Sequence, residues 1–428
     1  MNVLYIASLL IFAATIIAVE KRPSKIGIGY PPVIGGIVCL VLGITPLRDL
    51  IVIWNIVWNS TFTFVAIIIY TLILEEAGFF SYVAIKFVRF AGGSSRKAFV
   101  LLIVLGSILS GVFANDGAIL ILTPIVYSIL KHTRAPRSLY LPFLFSIGFI
   151  ADTASSPLVI SNLVNIITAS YFRIEFVSYA EVMILPAMVA AATSLAMLYI
   201  LYRKSLNFEF KQEFLPKPES VIKDRVIFSI AIPFTVFLMA AYAITGFFSI
   251  PIAFIAVPGA LILLGISGRS RTINTLKVLK EAPWHIVYFS LGMYVIVFGM
   301  GYQGLDSQLS SILVYLSGLG SFASIVLSGL LFSFLAGILN NLPSVMIGNL
   351  SIAHAGLSHN LAFANVVGND IGPKFTPIGS LATLLWIYSI EKKGDIKISW
   401  KYYMKVGSIL TLPVLLCTLV TLWFVTAV

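Results

Sequence analysis

The sequence predicts an all-α polytopic membrane protein with inverted repeats: about ten transmembrane helices, two re-entrant hairpins and two discontinuous helices. Three observations lead there. Of 428 residues, 59% are hydrophobic and only 11% charged, whereas soluble domains carry roughly a quarter charged residues. Many apolar runs approach the roughly 20 residues that cross a bilayer. The basic residues are also clustered: 25 of the 28 Lys and Arg, all but Arg48, Arg173 and Lys374, fall in six patches, Lys21–Lys25, Lys86–Lys97, Lys131–Arg137, Arg203–Arg225, Arg269–Lys280 and Lys392–Lys405. The net charge of +11 is therefore distributed as the positive-inside rule distributes it, which assigns the six patches to the cytoplasm and leaves no nucleic-acid partner.

The spans follow in order at 2–19, 27–46, 54–75, 138–172, 180–202, 226–247, 250–267, 284–302, 361–391 and 402–427. The first run has no small-residue cleavage site behind it and stays as a span. With both termini outside, every basic patch falls inside only if 98–131 enters and leaves on the same face. Two crossings need about 40 residues plus a turn; this stretch has 34 and is flanked by basic residues. It is a re-entrant hairpin that turns at Asn115-Asp116-Gly117, and the Lys- and Arg-free stretch 320–355 is its counterpart from the other face. Irregular backbone at membrane depth survives only against protein or a water-filled cavity.

An internal repeat orders the domains. Trp58, Gly78 and Asn115 match Trp284, Gly304 and Asn341 at an offset of 226, and Asp152 and Leu163 match Asp370 and Leu381 at 218. This gives N-terminal scaffold helices at 1–50, a first repeat at 51–202 with hairpin 98–131 and broken helix 138–172, and a cytoplasmic linker at 203–225. Scaffold helices at 226–276 follow, then a second repeat at 277–428 with hairpin 320–355 and broken helix 361–391. Inverted repeats with broken helices place a transport site at their interface.

The polar breaks supply the candidate site. Asn115, Asp116, Thr153, Ser155, Ser156, Asn340, Asn341, Thr376 and Ser380 are the candidate substrate-binding residues. Asp116, Asp152 and Asp370 are the deep carboxylates, with Lys374 the one deep cation, and an ionisable group at that depth faces a cavity or a partner. These four are the candidate proton-coupling residues. A structural alternative for each stays open: an Asp370–Lys374 pair that pins a loop, and helix capping by Asp116 or Asp152. Cys39, Cys417, His132, His285, His354 and His359 are scattered and form no ligand set, so no metal site by Cys or His is expected. No nucleophile–base constellation or cofactor motif is present, so neither an enzyme nor a cofactor is expected.

The strings FANDGAILILTPIV, GFIADTASSPLVISNLVNI, LKEAPWHIVYFSLGMY, ANVVGNDIGPKFTPIGSLATLLW and IKISWKYY resemble the ArsB-type arsenite and antimonite efflux permeases of the ion transporter superfamily. The resemblance covers nearly the whole chain. It implies proton-driven efflux of trivalent arsenite or antimonite across the plasma (inner) membrane, sometimes assisted by a soluble ATPase subunit, and a scaffold beside a moving domain that carries both hairpins. Arsenite near neutral pH is the uncharged trihydroxide, As(OH)₃ (the antimony analogue is Sb(OH)₃), and carboxamides and hydroxyls complement it. The alternative within the superfamily is an H⁺- or Na⁺-coupled carboxylate or anion carrier.

Overall fold

The structure is a computed structural model and describes residues 3–21, 27–270, 272–282, 284–394 and 396–427, with the side chains of 392–394 outside the description. Among the described residues the chain is helical throughout; an isolated bridge between Ser94 and Glu209 is the only β pairing. Eight helical stretches are long and apolar enough to cross a bilayer, with shorter apolar helices between them. The protein is a polytopic α-helical membrane protein.

The first half runs α1 (Val3–Lys21), α2 (Tyr30–Val41), α3 (Asp49–Glu76), α4 (Phe79–Phe90), α5 (Ser95–Phe113), α6 (Asn115–His132), α7 (Arg137–Thr153), α8 (Leu163–Phe172) and α9 (Phe176–Tyr202). The second runs α10 (Arg225–Gly246), α11 (Ala253–Ser267), α12 (Thr275–Glu281), α13 (Trp284–Tyr302), α14 (Leu305–Ser317), α15 (Ser321–Leu339), α16 (Asn341–His354), α17 (Asn360–Ile371), α18 (Leu381–Gly394) and α19 (Trp400–Ala427). Helices α4 and α14 are additions to the sequence reading. Each starts on a glycine with positive φ, Gly78 at 87° and Gly304 at 111°, a conformation open to glycine because it has no Cβ. Lys86 and Arg89, part of the basic patch that begins at Lys86, lie on α4.

Helices α5 and α6 form a hairpin. Gly106 and Leu122, each eight residues from the junction at Ala114, are in van der Waals reach. The opposite ends meet the same connecting segment: the Ser95 hydroxyl donates to Leu206 O at 2.9 Å, and the Arg134 guanidinium lies over the Phe214 ring. The legs are longer than the half-crossings expected, because the reversal takes one residue. Ala114 has φ 67° and ψ 136°. An alanine there is strained by about 1–3 kcal/mol, so the surroundings must hold it. The α15–α16 hairpin turns at Asn340 with φ 77° and ψ 149°, and its outer ends meet α14 through Ser317–Ser324 and Ser310–Ser351.

The two halves repeat these contacts. Gly111 of the first hairpin lies against Pro157 and the Ala154 carbonyl; Gly337 of the second lies against Phe375 and the Gly372 carbonyl. Both pairings keep the offsets read from the sequence. Packing divides the helices into two groups. In one, α2 packs on α1 and α13, and α3 on α11 and α13. In the other, α5 and α6 pack on α7, α15 on α16, α17 and α19, and α9 on α19. The groups meet where α3 faces α8 and where α13 faces α16. Outer faces carry large exposed apolar side chains such as Leu10, Val236, Phe237, Leu261 and Phe424, the surface that lipid covers.

Small residues set the close approaches, as they do where no hydrophobic drive separates helix from lipid. A Cβ on Gly292 of α13 would stand 2.3 Å from the Pro32 carbonyl carbon of α2, whereas one on Gly265 of α11 would meet nothing within 4 Å. Gly292→Ala is therefore expected to destabilise the detergent-purified protein by about 1–3 kcal/mol, seen as a lower unfolding temperature, with Gly265→Ala unchanged.

Candidate functional site

Four helices restart inside the bundle, and their first turns converge. A small cavity of ≈ 10 Å³, about the room of one water, is lined by Asn115 and Asp116 of α6, Asn162 and Leu163 at the start of α8, Asn341 and Leu342 of α16, Ser380, Leu381 and Ala382 at the start of α18, and Ile286 of α13. Residues leading into α8 and α18 are extended, Asn162 at φ −153°, ψ 148° and Ser380 at φ −140°, ψ 138°. The first amides of a helix have no intrahelical acceptor, and each N-terminus carries about half a positive charge. At α8 and α16 one such amide each is taken by a side-chain cap, Val164 N by Asn162 Oδ1 and Leu342 N by Asn340 Oδ1, whereas α6 starts with no side-chain cap. Asp116, in the first turn of α6, is the one acidic side chain on it. Ile286 is the contribution of the α2–α13 group, so the cavity lies where the two packing groups meet.

The wall also holds free acceptors. Asn115 Nδ2 donates to Asp152 Oδ1 at 2.8 Å, which leaves Asn115 Oδ1 buried with no partner. A ligand hydroxyl is the kind of donor that satisfies it, since a buried acceptor left unmade costs about 1–3 kcal/mol.

Behind the wall lies a second layer of polar groups. Asp152, at the end of α7, is fully held: Lys374 Nζ is 2.6 Å from its Oδ2, and the Thr383 hydroxyl donates to the same oxygen at 3.4 Å. Lys374 also donates to Gly148 O at 2.7 Å and Thr383 Oγ1 at 3.0 Å. Both Asp152 and Lys374 are about 1% exposed. Lys374 therefore pairs with the Asp of the other repeat, not with Asp370 four residues away: the turn after α17 points its side chain across to α7. Asp370 instead accepts from Asn162 Nδ2 at 2.8 Å.

Of the candidate substrate-binding residues, Asn115, Asp116, Asn341 and Ser380 are on the cavity wall. Four of the others, Ser155, Thr153, Asn340 and Thr376, hold the breaks in shape. Ser155 donates to Asp152 O at 2.7 Å and accepts from Asn162. Thr153 donates to Phe149 O and accepts from Ser194. Asn340 donates to Ile378 O at 2.9 Å, and Thr376 donates to Gly337 O at 2.5 Å. Ser156 is buried with its hydroxyl unpartnered, away from the lining. Asp152 does not cap a helix start; it ends one. The capping is done by Asn162, whose Oδ1 accepts from Val164 N at 3.2 Å. Sequence reasoning missed Asn162, although an Asn directly before an apolar helical run is an N-cap signature. It also missed Thr383, whose role depends on the reach of Lys374. Cys39 is buried on α2 and Cys417 is exposed on α19. Neither cysteine lines the cavity.

An apolar helical bundle whose helices stop and restart around an internal polar cavity is the frame of a polytopic transport protein. The family model described as ArsB, arsenical pump membrane protein, matches residues 7–426. The arsenical pump membrane protein of Escherichia coli (strain K12) is 42% identical over 416 residues, covering 96% of this chain and 97% of its own length. That of Yersinia enterocolitica is 42% identical over the same span. The chain belongs to the ArsB family, and it is a membrane transporter and not an enzyme.

The buried pair gives a stability test. Lys374→Met leaves Asp152 charged and unpaired and should cost about 3–5 kcal/mol. The double change with Asp152→Asn should recover much of that loss in detergent unfolding curves.

Proposed function

We propose that the protein exports arsenite and antimonite across the plasma (inner) membrane, as the neutral trihydroxides, in exchange for protons. The observation that carries this is the cavity wall: helix N-termini supply donors, and Asn115 Oδ1 and Asp116 supply acceptors. A trihydroxide offers three hydroxyls, each both donor and acceptor, and matches both sets. The relatives named as arsenical pumps across nearly the full chain support the same substrate class. Recognition then goes through hydroxyls and not through As–S bonds, since Cys39 and Cys417 lie elsewhere. A neutral substrate draws nothing from the membrane potential, so active export requires a coupled ion, and the buried carboxylates suit a proton.

In this reading the two hairpins and their broken helices move together against a scaffold, an elevator-like alternating access. Support comes from the cavity lying between the packing groups, with Ile286 on the α13 side. The scaffold takes in 1–50 and 226–276, and the repeats at 51–202 and 277–428 run inverted across the membrane with re-entrant hairpins. Both termini face outside, and the 203–225 linker faces the cytoplasm, accessible to a soluble ATPase subunit.

Four converging helix N-termini also favour an anion, which keeps a carboxylate carrier as the second reading. Against it, the wall bears Asp116 and no cation, and Lys374 is spent on Asp152. Arsenite uptake into inverted membrane vesicles is expected to collapse on adding a protonophore, and unlabelled succinate should not compete. Uptake that survives the protonophore, or succinate that competes, rejects the proposal. Asn115→Ala removes one acceptor and should weaken arsenite affinity about tenfold, the equivalent of about 1–1.5 kcal/mol. The double change Cys39→Ser and Cys417→Ser should leave uptake at the wild-type rate.

A further inference from the structure

The repeats place Asp152 and Asp370 at equivalent positions, and the structure treats them differently. Asp152 has both oxygens engaged: Oδ1 by Asn115, Oδ2 by Lys374 and Thr383. A proton arriving there would have to displace an ammonium at 2.6 Å. Asp370 is equally buried, at 1% exposure, and has no counter-cation among the described residues. Its Oδ1 accepts from Asn162, and its Oδ2 is buried without any partner. An ionised carboxylate left this way is costly to bury; an added proton removes the charge and occupies the empty oxygen. Its ionisable neighbours are Asp152 of α7 and Tyr179 of α9, and the Tyr179 hydroxyl is likewise buried and unpartnered. Asp116 differs again: it faces the cavity directly, 8% exposed, and belongs with the substrate contacts.

Asn162 joins Asp370 to the cavity. Its side chain lies on the wall, donates to Asp370 at 2.8 Å and to Ser155 at 3.1 Å, and caps α8. A hydrogen bond to an ionised carboxylate is roughly twice as strong as one to a neutral group. The orientation of this amide therefore depends on whether Asp370 carries a proton.

Building on the exchange reading above, we infer that Asp370 carries the coupled proton and that Asn162 is the positioning residue that reports its protonation to the bound arsenical. The proton adds to Oδ2, giving a neutral acid, and leaves as hydronium; no electron moves and no covalent bond to the substrate forms. With Asp370 neutral, the Asn162 amide is released from its strongest acceptor and the α8 start is reshaped. With arsenical bound, the ionised arrangement with Asn162 held is favoured, and the proton departs.

The test measures proton release on adding arsenite to the full-length protein in weakly buffered detergent, alongside arsenite binding to the same sample. Wild type should release protons as it binds. Asp370→Asn should bind arsenite with release lost, and Asp152→Asn should retain release. Asn162→Ser keeps a capping hydroxyl (the residue type of its repeat mate, Ser380) but is too short to reach Asp370; it should bind arsenite with diminished release. Infrared difference spectra of wild type across a pH titration should show the carbonyl band of a buried carboxylic acid. Loss of that band in the Asp370→Asn protein is a reading that does not depend on transport. Release that persists in Asp370→Asn, or a band left unchanged by that substitution, overturns the inference; any component from Asp116 or Glu75 remains in both proteins. If Asp370→Asn does not fold, full release from Asn162→Ser overturns it and reduced release supports it. Wild-type protein that binds arsenite without releasing protons would instead reject the proton-exchange reading on which this rests.

Discussion

A helix that stops inside a membrane leaves amides and carbonyls with no water to bond, and each such group costs several kcal/mol if left bare. This protein stops and restarts four helices inside its bundle, and that constraint governs the rest of its interior. The restarts are brought face to face, so that one small polar cavity serves all of them. The stops are closed by side chains from neighbouring segments: Ser161 donates to Gly111 O, and Asn165 to Ser155 O and Leu158 O. Asn, Ser and Thr are therefore concentrated at these points in an otherwise apolar chain. Small residues at Gly111 and Gly337 let the hairpins approach near enough for those bonds to form.

The same frame, repeated twice, is filled with different chemistry. At equivalent positions the first repeat has Ser156 and the second Lys374; Asn162 stands opposite Ser380, and Ala114 opposite Asn340. Backbone conformation is kept at two of these pairs, with positive φ at Ala114 and Asn340 and extended backbone at Asn162 and Ser380, while side-chain function is not. One Asp is thereby neutralised by a lysine from the other half, and its twin is not. The lysine does structural work across the repeats: its ammonium joins the Gly148 carbonyl of α7 to Thr383 of α18, so the two broken helices are bonded to each other at their breaks.

Much of the fold could be read from the sequence because the constraint is written in residue type. Apolar runs of membrane length, basic patches between them and four polar breaks gave the helix order. The matched offsets were reproduced by the contacts of Gly111 and Gly337. Three helices escaped: α12, a single short stretch of seven residues, and α4 and α14, because a dozen residues of mixed polarity resemble a loop until a turn glycine such as Gly78 or Gly304 is seen to start them. Asn115, Asp116, Asn341 and Ser380 were legible as cavity residues since they sit at the restart itself. Partners across the bundle were not: the choice of Lys374 for Asp152 over Asp370 depends on the direction of one short turn after α17. Asn162 was hidden for a simpler reason. Its neighbours are Ser161 and Leu163, and a single amide in that setting attracts notice only as a cap.

The segment after α9 closes over the base of the first hairpin. Phe208 O accepts from Ser95 N, Phe210 N donates to Gly93 O at 2.7 Å, and Arg89 donates to Leu215 O at 2.9 Å. At the base of the second hairpin the fastening is an indole, with Trp423 Nε1 donating to Ser321 at 3.2 Å, together with α14. The two hairpins therefore differ in how they are tethered even though their tips match. Amide deuterium uptake follows such local openings, so the start of α5 is expected to exchange more slowly than the start of α15. A cut in the segment after α9 would free one leaf of the pair and leave the other as it was.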